Sequence, residues 1–318
     1  MKIAITVPSS ALPRSGNRHT AARWASFLRE LGHRVRVVTE WRGGDDDLLL
    51  ALHARKSFTS IRRFSDRRPA ASLVVALTGT DLYHDIGKYP EARQSLGLAT
   101  RLVVLQEEGL RELSAFLKGK THIVYQSSDV TLRHTPDRSP FRVAVIGHLR
   151  SEKDPFRAVM ALRRIERSTP VEVLQLGAAL ERDMRTRARG WMKLESRYRW
   201  LGSVSHGAAM RWLASSHLLV VSSVMEGGAN VICEAARIGV PVLASRVPGN
   251  VGMLGRDYPG YFPLFDDRAL ARLIERCRTD ASFYKRLRSR LLQRRAWFAP
   301  AAERAALKRL LRNLPAGD

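Results

Sequence analysis

The 318-residue chain is 45% hydrophobic and 26% charged, a balance that excludes a largely disordered polypeptide and allows about two domains. Its 54 Lys and Arg residues outnumber its 30 Asp and Glu residues, which gives a net charge of +24. A field of this sign attracts anions, but it does not distinguish among nucleic acid, an anionic membrane surface and a phosphorylated substrate.

Strands and helices alternate from the start of the chain. A short apolar run rich in β-branched residues predicts a buried strand over 2–7, which ends at Pro8. An amphipathic pattern predicts a helix over 19–31 with Gly32 at its end, after a loop that extends through Asn17. The further elements predicted here are strands over 35–38, 48–52, 73–77, 101–105 and 123–125, with helices over about 57–64 and from about 107.

The alternation restarts after residues 135–140 (TPDRSP), which contain two prolines and are predicted to form a linker. The elements predicted beyond it are strands over 141–146, 171–176, 218–221 and after Pro241, with helices over about 155–165, over 181–194 and from Asn230. Strands that alternate with helices twice over predict an α/β fold of two doubly wound parallel sheets. The carboxyl ends of such strands are expected to face a cleft where ligands bind.

The sequence predicts an N-terminal domain over 1–137 and a C-terminal domain over 138–296. The tail from 267 to 314 has Leu and Arg at helical spacing, and Pro300 interrupts it. We expect the last helix, within 297–318, to pack against the first domain. The alternative is a solvated basic helix without a special contact.

The cysteines and the apolar runs indicate the cellular environment. Cys233 and Cys277 are far apart and lack the spacing of metal ligands, which favours a reducing compartment and no structural zinc. No apolar run approaches the roughly 20 residues that span a bilayer. The N-terminal apolar segment is too short for a secretory signal. We therefore expect a soluble, cytoplasmic protein without a transmembrane segment.

One stretch, residues 218–245, has a pattern typical of a ligand site: LLVVSSVMEGGANVICEAARIGVPVLAS. An apolar strand is followed by a turn with Gly227 and Gly228 and then by a helix that begins at Asn230. Glycines allow close approach to a ligand, and a helix amino terminus favours phosphate. Glu226 and Glu234 are suited to accept hydrogen bonds from sugar hydroxyls. The alternative is an ordinary helix start, with Asn230 as N-cap and Glu234 as a surface acid.

The eight-residue spacing of Glu226 and Glu234, followed by Ala235 and by I-G-V-P-V over 238–242, resembles the E-x7-E motif of family 4 glycosyltransferases. The resemblance implies that Glu226 contacts the donor sugar and that Glu234 binds the ribose hydroxyls. It implies that the loop amides of Gly227, Gly228, Ala229 and Asn230 approach the sugar and the diphosphate. The implied fold is GT-B, with two Rossmann-like domains facing an interdomain cleft and a C-terminal helix that crosses back to the first domain.

A second loop, residues 147–153 (GHLRSEK), resembles the G-R-L-x-x-E-K loop of this family, in which Arg and Lys hold the diphosphate. Gly147 and Lys153 match, whereas His148 occupies the position of the Arg and Arg150 follows two residues later. Either His148 or Arg150 would then act with Lys153 to neutralise the departing UDP. The resemblance implies that no metal and no cofactor is required, because the UDP-sugar is a substrate. Residues 45–47, three aspartates, are interpreted as a solvated turn.

Segments throughout the chain resemble one branch of the family, the selenosugar synthases of selenoneine biosynthesis. The segments are IAITVP, SGNRHT, LALHARKS, VVALTGTDLY, RLVVLQ, IVYQSSD and IGHLRSEKDPFRA. The resemblance implies transfer from a UDP-sugar, UDP-GlcNAc or UDP-glucose, to selenophosphate with release of UDP. Selenophosphate is a soft anionic nucleophile, so it requires a basic pocket rather than a strong general base.

The acceptor site is expected on loops of the first domain. The residues expected to bind the acceptor are Gly16, Asn17, Arg18, His53, Thr80 and Asp81. In alternative interpretations, Asp81 orients Arg18 or His53, and His53 is a buried histidine with satisfied hydrogen bonds.

Two other functions are compatible with parts of the sequence. One is a family 4 enzyme that transfers sugar to a hydroxyl of a lipid or polysaccharide, with the basic surface docked on a membrane. The other is a basic nucleic-acid-binding protein. The cations are spread over both halves without a cluster of stacking aromatic residues or a recognition motif, which disfavours specific nucleic-acid binding.

Overall fold

The computed structural model describes residues 1–8 and 16–314 of the chain. The chain divides into two compact units. The first comprises Met1–Ser127, Glu226–Gly228 and Pro300–Asp318, and the second comprises Ser128–Met225 and Ala229–Ala299. Each unit contains one six-stranded sheet whose strands are all parallel, so the prediction of two doubly wound α/β sheets is confirmed.

The sheet of the first unit has the strand order β2-β1-β3-β4-β5-β6. Its strands are β1 (Lys2–Thr6), β2 (Arg34–Val38), β3 (Leu48–Leu52), β4 (Ser72–Leu77), β5 (Arg101–Val104) and β6 (Thr121–Ile123). Every residue of β3 and β4 is buried, because helices cover both faces of the sheet. The helices before residue 128 are α1 (Gly16–Glu30), α2 (Phe58–Arg67), α3 (Ile86–Lys88), α4 (Pro90–Leu98) and α5 (Ala115–Gly119).

Some local elements of this unit differ from the prediction or were not predicted, and the strand predicted over 123–125 is β6, Thr121–Ile123. Helix α1 begins at Gly16, so Gly16, Asn17 and Arg18 form its first turn and the loop prediction is wrong for them. The rest of that predicted loop, residues 9–15, lies outside the described residues. The element after Gln106 is a 3₁₀ helix over Glu107–Glu112 rather than an α-helix. After β4 the chain forms one turn of π-helix over Asp81–Asp85, a geometry that is frequent at functional sites.

The sheet of the second unit has the order β12-β11-β10-β7-β8-β9. Its strands are β7 (Phe141–Ile146), β8 (Val171–Leu176), β9 (Tyr198–Trp200), β10 (Leu218–Val221), β11 (Val242–Ser245) and β12 (Tyr261–Phe262). Its helices are α6 (Arg157–Leu162), α7 (Met184–Leu194), α8 (His206–Ala214), α9 (Asn230–Ile238), α10 (Pro248–Leu254), α11 (Asp267–Thr279) and α12 (Ala281–Gln293). Within the described part of the chain, no helix is long and apolar enough to cross a bilayer.

The last helix, α13 (Pro300–Leu311), belongs to the first unit. Leu307 and Leu310 are fully buried in the same core cluster as Trp24 and Leu28 of α1. The prediction that the C-terminal helix returns to the first domain is therefore confirmed, and the alternative of a solvated helix is wrong.

Glu303 connects α13 to α1 and to Ser127 of the first unit through hydrogen bonds. Its fully buried carboxylate accepts hydrogen bonds from Arg23 Nε at 2.7 Å and from Trp24 Nε1 at 2.6 Å, both on α1. It also accepts from the backbone N–H of Ser127 at 2.8 Å and from the Ser127 hydroxyl. These donors satisfy the buried charge, and removal of a partner from such a buried charged group strongly destabilises a protein.

Replacing Glu303 with alanine is expected to lower the free energy of unfolding of the first unit by about 3–5 kcal/mol. The buried Trp24 and the largely buried Arg23 would lose the carboxylate that accepts their hydrogen bonds. Urea unfolding monitored by tryptophan fluorescence measures the change. The matched control is Glu30→Ala, which removes a carboxylate from the half-exposed pair with Arg304 and is expected to change stability by less than about 1 kcal/mol. Equal effects of the two substitutions would contradict the assigned role of Glu303.

Candidate functional site

The glycine turn after β10 is divided between the two units. Residues Glu226–Gly228 group with the first unit, whereas the strand before them and the helix after them belong to the second. A Cβ atom on Gly227 would lie 2.2 Å from the carbonyl oxygen of Thr78, at the end of β4, so only glycine fits there. A Cβ atom on Gly228 would lie 2.9 Å from Cβ of Leu105. Gly227 and Gly228 therefore allow close packing within the first unit, and the side chain of Glu226 is buried beside them.

Helix α9 starts without a side-chain cap. Its N-cap residue is Ala229, and Asn230 is the first helical residue, so the interpretation of Asn230 as the N-cap is wrong. The Asn230 Oδ1 atom is buried and has no hydrogen-bond partner in the described structure. An uncapped helix amino terminus presents backbone N–H groups and the positive end of the helix dipole, both of which favour an anion.

Glu234 lies one turn into α9 and is not a surface acid. Its side chain is 14% exposed, and Oε1 lies 2.9 Å from Nε2 of His206, the first residue of α8. The hydrogen bond that His206 donates to this carboxylate raises the pKa of His206 against the opposing effect of burial, and the charge of Asp129 adds to the increase. His206 is a residue that the sequence analysis missed. It lies 28 residues from its partner, and no motif connects the two.

The loop over 147–153 follows β7 at the carboxyl edge of the second sheet. His148 Nδ1 accepts a hydrogen bond from the backbone N–H of Ala178, which fixes the ring against the loop after β8. Arg150 precedes the 3₁₀ turn Ser151–Lys153, and its Nε atom is buried without a hydrogen-bond partner in the described residues. The backbone carbonyl of Lys153 accepts from the Ser222 hydroxyl at 3.1 Å. The structure thus brings the Lys153 loop to the end of β10, immediately before the glycine turn.

Glycine is also required opposite this loop. A Cβ atom on Gly177, whose φ is +143°, would lie 2.0 Å from the carbonyl oxygen of Gly147. Next to this approach, Glu181 accepts from the hydroxyl of Ser151 and from its backbone N–H at 2.8 Å. These bonds lower the pKa of Glu181, and the charge of Arg150 contributes. The loop is therefore held in place by its neighbours rather than by its own sequence alone.

Three of the predicted acceptor residues lie together in the first unit. His53 follows β3, is 2% exposed and has a left-handed φ of +77°, an unusual conformation for a residue other than glycine. Its Nε2 atom lies 3.0 Å from the Thr80 hydroxyl. Burial lowers the pKa of His53, although Asp81 and Asp85 oppose the decrease. His53 is thus a buried histidine whose ring nitrogen is hydrogen-bonded, as in the alternative interpretation.

Asp81 is fully buried and accepts three backbone N–H groups, from Thr78 at 2.9 Å, from Gly79 at 2.9 Å and from Ala54 at 3.0 Å. Its Oδ2 atom lies 3.9 Å from Nδ1 of His53. Asp81 therefore shapes the loops after β3 and β4, and its part in acceptor binding stays a prediction.

The other predicted acceptor residues, Gly16, Asn17 and Arg18, occupy the first turn of α1. Gly16 and Arg18 are exposed and Asn17 is half-buried. The Gly16 carbonyl accepts from the Thr20 hydroxyl at 3.0 Å. Their role as acceptor ligands likewise stays a prediction.

A charged cluster lies beside His53, and two of its members, His84 and Asp85, were not part of the predicted site. Asp85 pairs with Arg55 and His84, and Arg55 also packs on the ring of Tyr89. The hydrogen bonds from His84 and Arg55 lower the pKa of Asp85 although burial acts in the opposite direction. The composition of the chain, H-A-R-K after β3 and H-D at the end of the π-helical turn, is the sequence signal for this cluster.

The interpretation of residues 45–47 as a solvated turn is wrong for Asp46. Asp46 is 4% exposed and accepts from Arg36 and, at 2.8 Å, from Trp41 Nε1. Its neighbour Asp47 accepts from the backbone N–H of Lys2 at 2.7 Å. Over residues 1–8 and 16–314, no three His, Cys, Asp or Glu side chains are grouped as metal ligands.

Comparisons with known proteins agree with this architecture. Residues 133–293, just over half of the chain, match the family model described as glycosyl transferases group 1. HepE of Anabaena, solved in complex with UDP and glucose, is 17% identical, with a TM-score of 0.77 over 99% of this chain and 100% of that chain. Sucrose-phosphate synthase from Thermosynechococcus elongatus is 16% identical, with a TM-score of 0.77 over 98% of each chain. A glycosyltransferase from Rickettsia africae is 13% identical, with a TM-score of 0.74 over 98% of this chain and 99% of that chain.

No curated protein matches the sequence significantly. Because the identities to the solved structures are low, these similarities show the fold alone. They confirm the predicted two-domain GT-B fold.

Replacing Glu234 with glutamine is expected to lower the pKa of His206, because the carboxylate that stabilises the imidazolium becomes neutral. The pH titration of the His206 ring signals by NMR measures the change. Glu275→Gln, which neutralises a carboxylate on α11 of the same unit, is the control and should leave the titration unchanged. The same titration curve in Glu234→Gln and the unmodified protein would rule out the pair.

Proposed function

The chain belongs to the group 1 glycosyl transferases, and on that premise we propose that it transfers a sugar from a UDP-sugar to selenophosphate. The anomeric carbon loses its bond to the UDP oxygen and gains a bond to selenium, and UDP leaves with the bonding electrons. Hydrolysis of the Se–P bond then releases phosphate and yields the free selenol sugar. The donor is UDP-GlcNAc or UDP-glucose, and the product serves selenoneine biosynthesis.

The observation that carries the donor assignment is the strand, turn and helix over Leu218–Ile238, which hold Glu226 and Glu234 eight residues apart. We assign Glu226 to the donor sugar and Glu234 to the ribose. His206 donates a hydrogen bond to Oε1 of Glu234, and we assign Oε2 to a ribose hydroxyl. The uncapped start of α9, with the buried Oδ1 atom of Asn230, suits the diphosphate and the sugar hydroxyls. The complex of the similar HepE with UDP and glucose supports a UDP-sugar donor.

We assign the diphosphate to Lys153 and Arg150, together with the backbone around Gly147. Arg150 is the better candidate than His148, because its buried Nε atom has no hydrogen-bond partner among the described residues, whereas the His148 ring is fixed by Ala178. Two cations here stabilise the charge that develops on UDP as the glycosidic bond breaks. In this mechanism the two side chains supply the charge, and we propose that transfer requires neither a metal nor a cofactor.

The acceptor assignment is supported by the sequence resemblance over both halves of the chain and by the chemistry of the first unit. Burial lowers the pKa of His53, which makes the ring a weaker base, and the hydroxyl of Thr80 is likewise a hydrogen-bonding group rather than a strong base. Selenophosphate suits such a site because selenium is already a potent nucleophile. An alcohol acceptor would instead need a base to remove its proton.

The purified protein is expected to release UDP from UDP-GlcNAc or UDP-glucose only when selenophosphate is present, and mass spectrometry should detect a selenium-containing sugar. Inorganic phosphate in place of selenophosphate is the control for the acceptor. Release of UDP with a lipid or polysaccharide alcohol, but not with selenophosphate, would reject the acceptor and retain the donor. Failure to bind any UDP-sugar would reject the whole proposal.

Replacing Glu226 with alanine is expected to lower the rate of transfer by about a hundredfold or more, because the sugar loses a buried carboxylate that contacts it as charge develops. Steady-state kinetics measure the loss, and circular dichroism establishes that the variant is folded. Glu112→Ala is the control. It removes an exposed carboxylate from the 3₁₀ helix Glu107–Glu112 of the first unit and should retain full activity. Unchanged turnover of folded Glu226→Ala would refute the assignment.

A further inference from the structure

A cluster at the carboxyl edge of the first sheet is centred on Asp85, the last residue of the π-helical turn after β4. The Asp85 side chain is 2% exposed. Its Oδ2 atom accepts from Arg55 Nε at 2.8 Å, and its Oδ1 atom lies 2.9 Å from Nδ1 of His84. The two oxygens of one buried carboxylate thus fix two side chains that reach solvent, because Arg55 is 35% and His84 50% exposed.

The guanidinium of Arg55 is held on two sides. Asp85 binds its Nε atom, and the ring of Tyr89 lies under its plane, with 4.2 Å from Cζ to the ring centroid. A guanidinium has five N–H donors, and over residues 1–8 and 16–314 the Nη atoms of Arg55 have no hydrogen-bond partner, so they can bind another group. A planar fork fixed in this way matches two oxygens of a tetrahedral oxyanion.

The charges around this cluster favour an anion. Lys56 follows Arg55 directly, and Nζ of Lys88 lies 5.6 Å from the same Tyr89 ring. The carboxylates of Asp81 and Asp85 supply two negative charges, against three positive charges on Arg55, Lys56 and Lys88. The cluster therefore has a cationic excess, and an anion is the complementary ligand.

The backbone around the cluster is irregular on both sides. His53, two residues before Arg55, has a φ of +77°, and Asp85 ends a π-helical turn. Asp81 joins the two segments, because it accepts from Ala54 after β3 and from Gly79 after β4. Strained and π-helical segments are concentrated at binding sites, where they aim particular side chains. In this cluster the two irregular segments bring Arg55 and His84 within hydrogen-bond distance of the Asp85 carboxylate.

We propose that Arg55 binds the phosphoryl oxygens of the acceptor, that His84 makes a second contact to them, and that Asp85 and Tyr89 are positioning residues. The ligand class is a small phosphorus oxyanion. The identification of that oxyanion as selenophosphate rests on the proposed function. With its oxygens held on Arg55, the oxyanion keeps its selenium atom available for the donor.

The test compares Arg55→Gln, Arg55→Lys and Asp85→Asn with the unmodified protein. The KM for selenophosphate should rise by about tenfold to a hundredfold in Arg55→Gln, the size of effect expected for losing hydrogen bonds to a charged group. Arg55→Lys should be nearly as impaired, because it keeps the charge but loses the fork. Asp85→Asn should raise the same KM with a smaller change in kcat. The dissociation constant for UDP should be unchanged in all three.

Inorganic phosphate is the probe of the site itself. It should inhibit competitively with selenophosphate, and its binding measured by calorimetry should weaken in Arg55→Gln. The control is Arg62→Gln, which removes an exposed cation paired with Asp66 on α2 and should leave KM and phosphate binding unchanged. If selenosugar forms and folded Arg55→Gln keeps the normal KM, the oxyanion site is overturned while the proposed function stands. If no selenosugar forms but phosphate binding depends on Arg55, the proposed function fails and the oxyanion site stands.

Discussion

The candidate acceptor site depends on the buried carboxylate of Asp81, whose hydrogen bonds are accepted from backbone N–H groups. Asp81 accepts from residues after β3 and after β4, so it fixes the relative position of two loops that are separated along the chain. The Asp81 turn therefore places the histidine and arginine of the β3 loop at the carboxyl edge of the first sheet. Without this acceptor, three buried N–H groups would lose their partner.

The donor side has a different construction, in which helix starts and loop contacts position the charged groups. Glu234 is held by His206 at the start of α8, and the loop with Lys153 is tied through Ser222 to the end of β10. These contacts fix side chains that are expected to meet a mobile, polyhydroxylated ligand. Preorganisation of this kind reduces the entropy that is lost on binding.

Much of the fold follows from local sequence. Apolar runs such as 48–52, 141–146, 171–176 and 218–221 have the same bounds in the structure as in the prediction, because parallel strands buried on both faces need continuous apolar residues. The motif around Glu226 was visible because its spacing is local. In contrast, β9 and β12 have three and two residues, too few to produce a periodic pattern.

The parts of the site that were missed are those made by distant residues. His206 and Glu234 lie on different helices, and Arg55 and Asp85 follow different strands, so only the folded chain brings them together. The capping interpretation of Asn230 failed for a local reason: the chain enters α9 through Ala229, whose backbone is extended, one residue earlier than the side-chain preference indicates. Asp46 was misjudged because its partners, Arg36 and Trp41, make burial of a charge favourable.

The contact between Glu303 and the first unit has a consequence for synthesis on the ribosome. Arg23, Trp24 and Ser127 emerge early, but the acid that they share lies 176 residues after Ser127. The second unit is translated almost entirely within that interval. The core of the nascent first unit therefore stays uncovered on the side of α13 until the second unit has been translated. Helix α13, which is translated after the second unit, covers the core of the first unit.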